Sequence, residues 1–189
     1  VEADGAVAYP VPHGDSYPIN GINLTEMKKI YKDFYLEEMT DLEYLGGEFI
    51  SFRNDIAYKI MYEFHSIWDK NYKLYEKGLE KLNEEAHFWS FIYFRLGFRK
   101  FEGKKFTRRI WTAAQLDDMK TDDIDLPIMH LPGEKRYAFK KIFYKFSRGD
   151  FKRESDYISQ VKNILLIDRP RLRKIRRICY RAFDRITGK

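Results

Sequence analysis

Apolar residues recur along this chain at intervals that predict a helix-rich α/β fold. Ile56, Ile60, Met61, Phe64, Ile67, Trp68 and Tyr72 recur at helical spacing, which marks a long helix that Gly78 ends. A second helix is expected from Asn83, carrying Phe88, Trp89, Phe91, Ile92, Phe94 and Leu96. Asn23 and Glu26 have the spacing of a capping box and place a shorter helix over 24–35. The stretch Tyr44–Phe52 reads as a glycine turn leading into a short strand. Arg109–Ala113 and Leu126–Leu131 read as short buried strands, separated by a loop with Asp117, Asp118, Asp122, Asp123 and Asp125. Helices over 134–146, 151–165 and 170–187 complete the chain, while 1–20, rich in Pro and Gly, is expected to be irregular and extended. The domain division expected from this pattern is 1–150, with a basic helical segment over 151–189.

Charge divides the molecule in a way the net value of +6 conceals. From Lys135 onward the formal charge is +13, and residues 1–134 carry −7. A basic segment on an otherwise acidic body suits docking to an anionic surface, and it disfavours nucleic acid as the partner of the whole chain. With 44% hydrophobic residues the chain can fill a core, and 17% aromatic residues supply rings that pack or stack on sugars and bases. Cys179 is the one cysteine, so no intramolecular disulfide forms and a reducing, cytoplasmic compartment is expected. No apolar run approaches membrane-spanning length, and Val1–Pro18 lacks the pattern of a signal peptide. The chain begins at Val1 and not at Met, so a fragment of a longer polypeptide is expected.

Four stretches hold candidate chemistry. Gly46-Gly47-Glu48 allows a sharp turn or a close backbone approach to a ligand. Glu84 and Glu85 open an apolar helix, where carboxylates complement the helix dipole or face a cleft as hydroxyl ligand or general base. Asp123-Ile124-Asp125 has cation-binding spacing, but within five aspartates it reads as a solvated loop. His130 ends an apolar run and is followed by a Pro132-Gly133 turn, Glu134 and Lys135. An imidazole there can ligate a metal, and Lys135 with a helix start near Glu134 can meet phosphate oxygens.

The last stretch, from Arg169, is a basic amphipathic helix. Leu172, Ile175, Ile178, Cys179, Ala182, Phe183 and Ile186 share one arc, and Arg173, Lys174, Arg176, Arg177, Arg181 and Arg185 cover the opposite side. The favoured expectation is that these six cations hold the protein at an anionic membrane surface. The structural alternative packs the apolar arc on the domain and leaves the arginines in solvent.

In their order, Gly46-Gly47-Glu48-Phe49-Ile50, Asn83–His87, Arg109-Ile110-Trp111-Thr112 and Ile128–Lys135 resemble the acceptor-side half of GT-A-type nucleotide-sugar glycosyltransferases. The likeness is to bacterial enzymes of surface-polysaccharide, capsule and lipopolysaccharide assembly, and more distantly to the glycogenin-like family. The resemblance implies a partial GT-A-like fold whose donor-binding half, with its Asp-x-Asp motif, is not seen here. It implies transfer from a nucleotide sugar to a lipid-linked or polysaccharide acceptor at the inner face of the membrane. It makes His130 a ligand of a divalent cation (Mn or Mg), Lys135 a diphosphate contact, Gly46, Gly47 and Glu48 a substrate-side lining, and Glu84 or Glu85 the residue facing the transferred sugar. The other class considered is a non-catalytic peripheral membrane-binding or assembly module.

Overall fold

The computed structural model describes residues 5–11, 14–99, 101–112, 117–135 and 138–187. Among them are six helices and four short strands in two small sheets, a helix-rich α/β arrangement. The chain divides into two compact units, 1–106 and 107–189. Residue 150, where composition placed a boundary, falls in the turn between two helices of the second unit.

In the first unit, β1 (Ala6–Pro10) pairs antiparallel with β2 (Leu45–Phe52). Strand β1 lies in the stretch expected to be irregular. Its alternation is hidden because Ala6, Val7, Ala8 and Tyr9 are all buried. Helix α1 (Leu24–Tyr35) starts at the expected capping box: Glu26 N–H donates to Asn23 Oδ1 at 2.9 Å, and Asn23 N–H donates to Glu26 Oε2 at 2.7 Å. Helix α2 (Ala57–Glu76) buries only Ile60 and Ile67. Helix α3 (Glu85–Arg95) is apolar on nearly all sides, and it runs through the middle of the core. Phe91, Ile92 and Tyr93 have no solvent exposure, and Tyr31 meets Phe91 edge-on at 5.1 Å. Helix α3 begins two residues later than expected, because Asn83 and Glu84 form its approach.

The second unit holds a parallel pair, β3 (Thr107–Arg109) and β4 (Ile128–His130), followed by α4 (Ala138–Ser147), α5 (Glu154–Leu165) and α6 (Pro170–Thr187). The expected strand over 109–113 is observed earlier, and its residue Ala113 lies outside the described residues. Its apolar core is small: Ile110, Met119, Leu131, Ala138, Val161, Leu165 and Ile167. Two arginines of α6 complete it. Arg173 is 1% exposed and Arg177 6% exposed.

Both guanidinium groups are hydrogen-bonded inside the unit. Arg173 donates to both Asp117 oxygens, at 2.7 and 2.9 Å, and to the Leu166 carbonyl at 2.8 Å. Arg177 donates to the Thr112 carbonyl at 2.9 Å, to Thr112 Oγ1 at 2.7 Å and to Glu134 Oε1 at 2.7 Å. Planar bidentate geometry of this kind suits arginine and not lysine. The aspartate run is therefore less solvated than its composition suggested. Asp117 holds Arg173, while Asp118 and Asp123 both hold Arg108.

Removing one member of a buried pair strands the other charge, which costs about 3–5 kcal/mol. Glu134→Ala is accordingly expected to destabilise the second unit by about that amount. The double change Glu134→Leu with Arg177→Met, which leaves only the half-buried Arg176 without its 3.6 Å contact to Glu134, is expected to lose less. Chemical unfolding followed by circular dichroism checks both, and equal losses would contradict the pairing.

Candidate functional site

The ladder between β1 and β2 is interrupted where the glycines lie. Ala8 faces Ile50, yet Tyr9 faces Gly46, so Gly47, Glu48 and Phe49 bulge from the sheet. Extra residues on one strand bend it locally and re-aim its side chains. The Glu48 carboxylate is folded back against Gly46 with both oxygens removed from solvent. Gly47 is exposed, and a Cβ there would lie 3.2 Å from Glu85 Oε1. The bulge and the start of α3 are thus in contact, although Glu85 lies 38 positions after Gly47 in the chain.

Ser90 fastens this junction from beneath. Its hydroxyl accepts the Leu45 N–H at 2.9 Å and donates to the Ala86 carbonyl at 2.9 Å. Above it, the Tyr44 hydroxyl donates to Glu84 Oε1, which fixes a half-buried carboxylate. Glu85 is exposed. Glu84 and Glu85 line a groove of about 550 Å³ whose other wall is aromatic: Phe64, Trp68, Tyr72 and Tyr75 of α2 with Phe88 of α3. Trp68 and Tyr72 are about half exposed, at 52% and 50%. Asn71 keeps the floor rigid, exchanging hydrogen bonds of 2.8 and 3.0 Å with the Leu82 backbone.

His87 completes the cluster as a neutral residue. The Asn83 N–H donates to its Nδ1 at 3.1 Å, so the ring proton sits on Nε2 and points to the Ile19 carbonyl at 3.2 Å. The ring has no solvent exposure, and burial lowers its pKa from 6.5 to about 4. Its contact with Glu84, 3.6 Å away, is therefore not an ion pair near neutrality.

The second unit places its candidates differently. His130 ends β4 as expected and is half-buried, with its carbonyl accepting the Ile110 N–H at 2.9 Å. The expected helix start at Glu134 is absent. Pro132–Glu134 is a single tight turn whose Glu134 N–H is spent on the Leu131 carbonyl at 3.0 Å, and α4 begins at Ala138. Gly133 has a packing role: a Cβ there would lie 2.9 Å from both Arg177 Nη2 and Thr112 Oγ1. Lys135 is exposed at the end of that turn. Among the described residues, no three His, Cys, Asp or Glu side chains gather to hold a metal.

The basic helix also needs correction. Arg173 and Arg177, expected at a membrane surface, are interior, because their pairing with Asp117 and Glu134 draws that side of α6 inward. Arg176 is half-buried and donates to the Ile164 carbonyl at 2.5 Å. Lys174, Arg181 and Arg185 are exposed. No helix among the described residues is long and apolar enough to cross a membrane.

Tyr44, His87 and the aromatic wall of α2 escaped the sequence reading. The available signal was in α2, which carries tyrosines and a tryptophan where a buried face would carry aliphatic residues.

The His87 environment has a measurable consequence. The unfolded chain binds a proton near pH 6.5, and the folded chain resists it until about pH 4. The associated stability is fully present above pH 6.5 and is lost as pH falls toward 4, by about 3 kcal/mol over that interval. His87→Gln, whose amide can serve the same two partners, is expected to flatten this slope in unfolding measurements across pH 7 to about 4. An unchanged slope would assign the acid sensitivity to other groups.

No protein-family model matches the chain, and neither a curated protein nor a solved structure is significantly similar to it.

Proposed function

We propose that the first unit is the acceptor-side, carbohydrate-handling part of a nucleotide-sugar glycosyltransferase. One observation carries this reading: two acidic residues, Glu84 and Glu85, line an open groove walled by aromatic rings. Sugar rings offer apolar C–H faces, which stack on Trp and Tyr, and hydroxyl groups, which donate to carboxylates. A mostly apolar cleft with a few placed polar groups is the usual form of a small-ligand site. The resemblance of the glycine and Glu-Glu stretches to the acceptor side of GT-A-type enzymes supports the same assignment, as does their meeting in one place.

Within this reading the two acids have different tasks. Glu84, held by the Tyr44 hydroxyl and partly buried, is a fixed acceptor that orients a sugar hydroxyl. Glu85 is exposed beside Gly47 and serves as general base. The acceptor oxygen attacks the anomeric carbon of the donor sugar and its proton passes to Glu85. The bond from that carbon to the diphosphate breaks, and the nucleoside diphosphate leaves with the electron pair. The resemblance assigns the diphosphate contact to Lys135 and a divalent cation to His130.

The test is a screen of the chain against arrayed bacterial surface oligosaccharides, followed by titration with intrinsic fluorescence. Binding to at least one glycan is expected. Trp68→Ala and Glu85→Gln, both at exposed positions, are expected to weaken it about tenfold or more. Where transfer from a nucleotide sugar to that glycan is measured, Glu85→Gln is expected to lower turnover by about 10²–10⁴-fold. A folded chain that binds no glycan would overturn the proposal in favour of a non-catalytic module.

A further inference from the structure

The inward turn of Arg173 and Arg177 leaves the opposite side of α6 facing out. Leu172, Ile175, Ile178, Phe183 and Ile186 are 47%, 56%, 53%, 57% and 84% exposed, and Cys179 is exposed among them. At 100° per residue they form a single stripe along a helix roughly 27 Å long. Arg171, Lys174, Arg181 and Arg185 are exposed and run along one edge of that stripe. Helix α4 of the same unit repeats the theme. Its Phe143, Tyr144 and Phe146 are 66%, 56% and 70% exposed, next to exposed Lys140 and Lys141.

A contiguous apolar stripe on a domain surface marks a place where something docks. Charge selects the occupant. Cations beside an apolar stripe are the pattern of a helix lying in the plane of an anionic bilayer, with apolar side chains among the acyl chains and basic side chains at the headgroups. A second copy would bring a like-charged edge to this one. Nucleic acid would meet apolar side chains where phosphates need cations. We infer that α6 docks the chain on an anionic phospholipid surface through its apolar stripe, with Arg171, Lys174, Arg181 and Arg185 engaging the headgroups. The arginines of its other face, Arg173 and Arg177, hold the helix to the protein. This inference rests on the second unit alone and is independent of the sugar site.

Because the chain has a single cysteine, Cys179 reports on the stripe without any substitution. Flotation of the unlabelled chain with phosphatidylcholine vesicles, with and without phosphatidylglycerol, measures docking directly. Co-flotation is expected only with phosphatidylglycerol, and a solvent-sensitive fluorophore on Cys179 is expected to shift to the blue with the same vesicles. Ile175→Asp combined with Phe183→Asp is expected to reduce the bound fraction about tenfold or more while leaving the circular dichroism spectrum and unfolding midpoint unchanged. Lys174→Glu with Arg181→Glu is expected to weaken binding at low salt. Failure to float with anionic vesicles at low salt would overturn the inference. So would flotation indifferent to Ile175→Asp and Phe183→Asp, or a blue shift that tracks protein concentration without vesicles, which would identify self-association.

Discussion

Two guanidinium groups occupy positions in the second unit where a small domain usually places leucines. Each has its donors satisfied: Arg173 by Asp117 and the chain around Leu166, Arg177 by Thr112 and Glu134. A buried charge is tolerable only when paired and hydrogen-bonded, so these contacts are made together or not at all. They set the rotation of α6 about its axis, because the arginines cannot turn outward without leaving Asp117 and Glu134 buried and alone. They also explain two features of the nearby chain. The aspartate-rich loop supplies counter-charge, and Gly133 leaves room for the Arg177 side chain. The outward position of Leu172, Ile175, Ile178, Phe183 and Ile186 follows as the remainder of the helix surface.

The first unit uses polar groups in a different way. Its core is aromatic and aliphatic, wrapped around α3, and the polar groups at the head of that helix are partnered one by one. Ser90 joins β2 to α3, Tyr44 secures Glu84, and His87 bridges Asn83 and the Ile19 carbonyl. With these fixed, Glu85 is left exposed beside them, lining the aromatic groove.

Much of the local structure is legible along the chain. The capping box at Asn23, the apolar repeat of α2, the apolar run of α3 and the amphipathic terminal helix each depend on residues within a few positions of one another, and each helix forms where those signals lie. Strand β1 is not legible in this way. It is short, buried from Ala6 to Tyr9 and ended by Pro10, so alternation is missing and only its pairing with β2 makes it a strand. The meeting of Gly47 with Glu85 is likewise invisible in one dimension, since it depends on a bulge whose register β1 imposes.

The sequence by itself determined that α6 has an apolar side and a basic side, because helical periodicity follows from residue spacing alone. It could not determine which side faces inward. Apolar burial argues for one orientation, and without the positions of Asp117, Thr112 and Glu134 nothing argues for the other. Those three residues lie between 43 and 65 positions upstream of the arginines they receive. Tertiary structure brings them to one place, and in a unit with so small an apolar core their hydrogen bonds outweigh the burial of five apolar side chains.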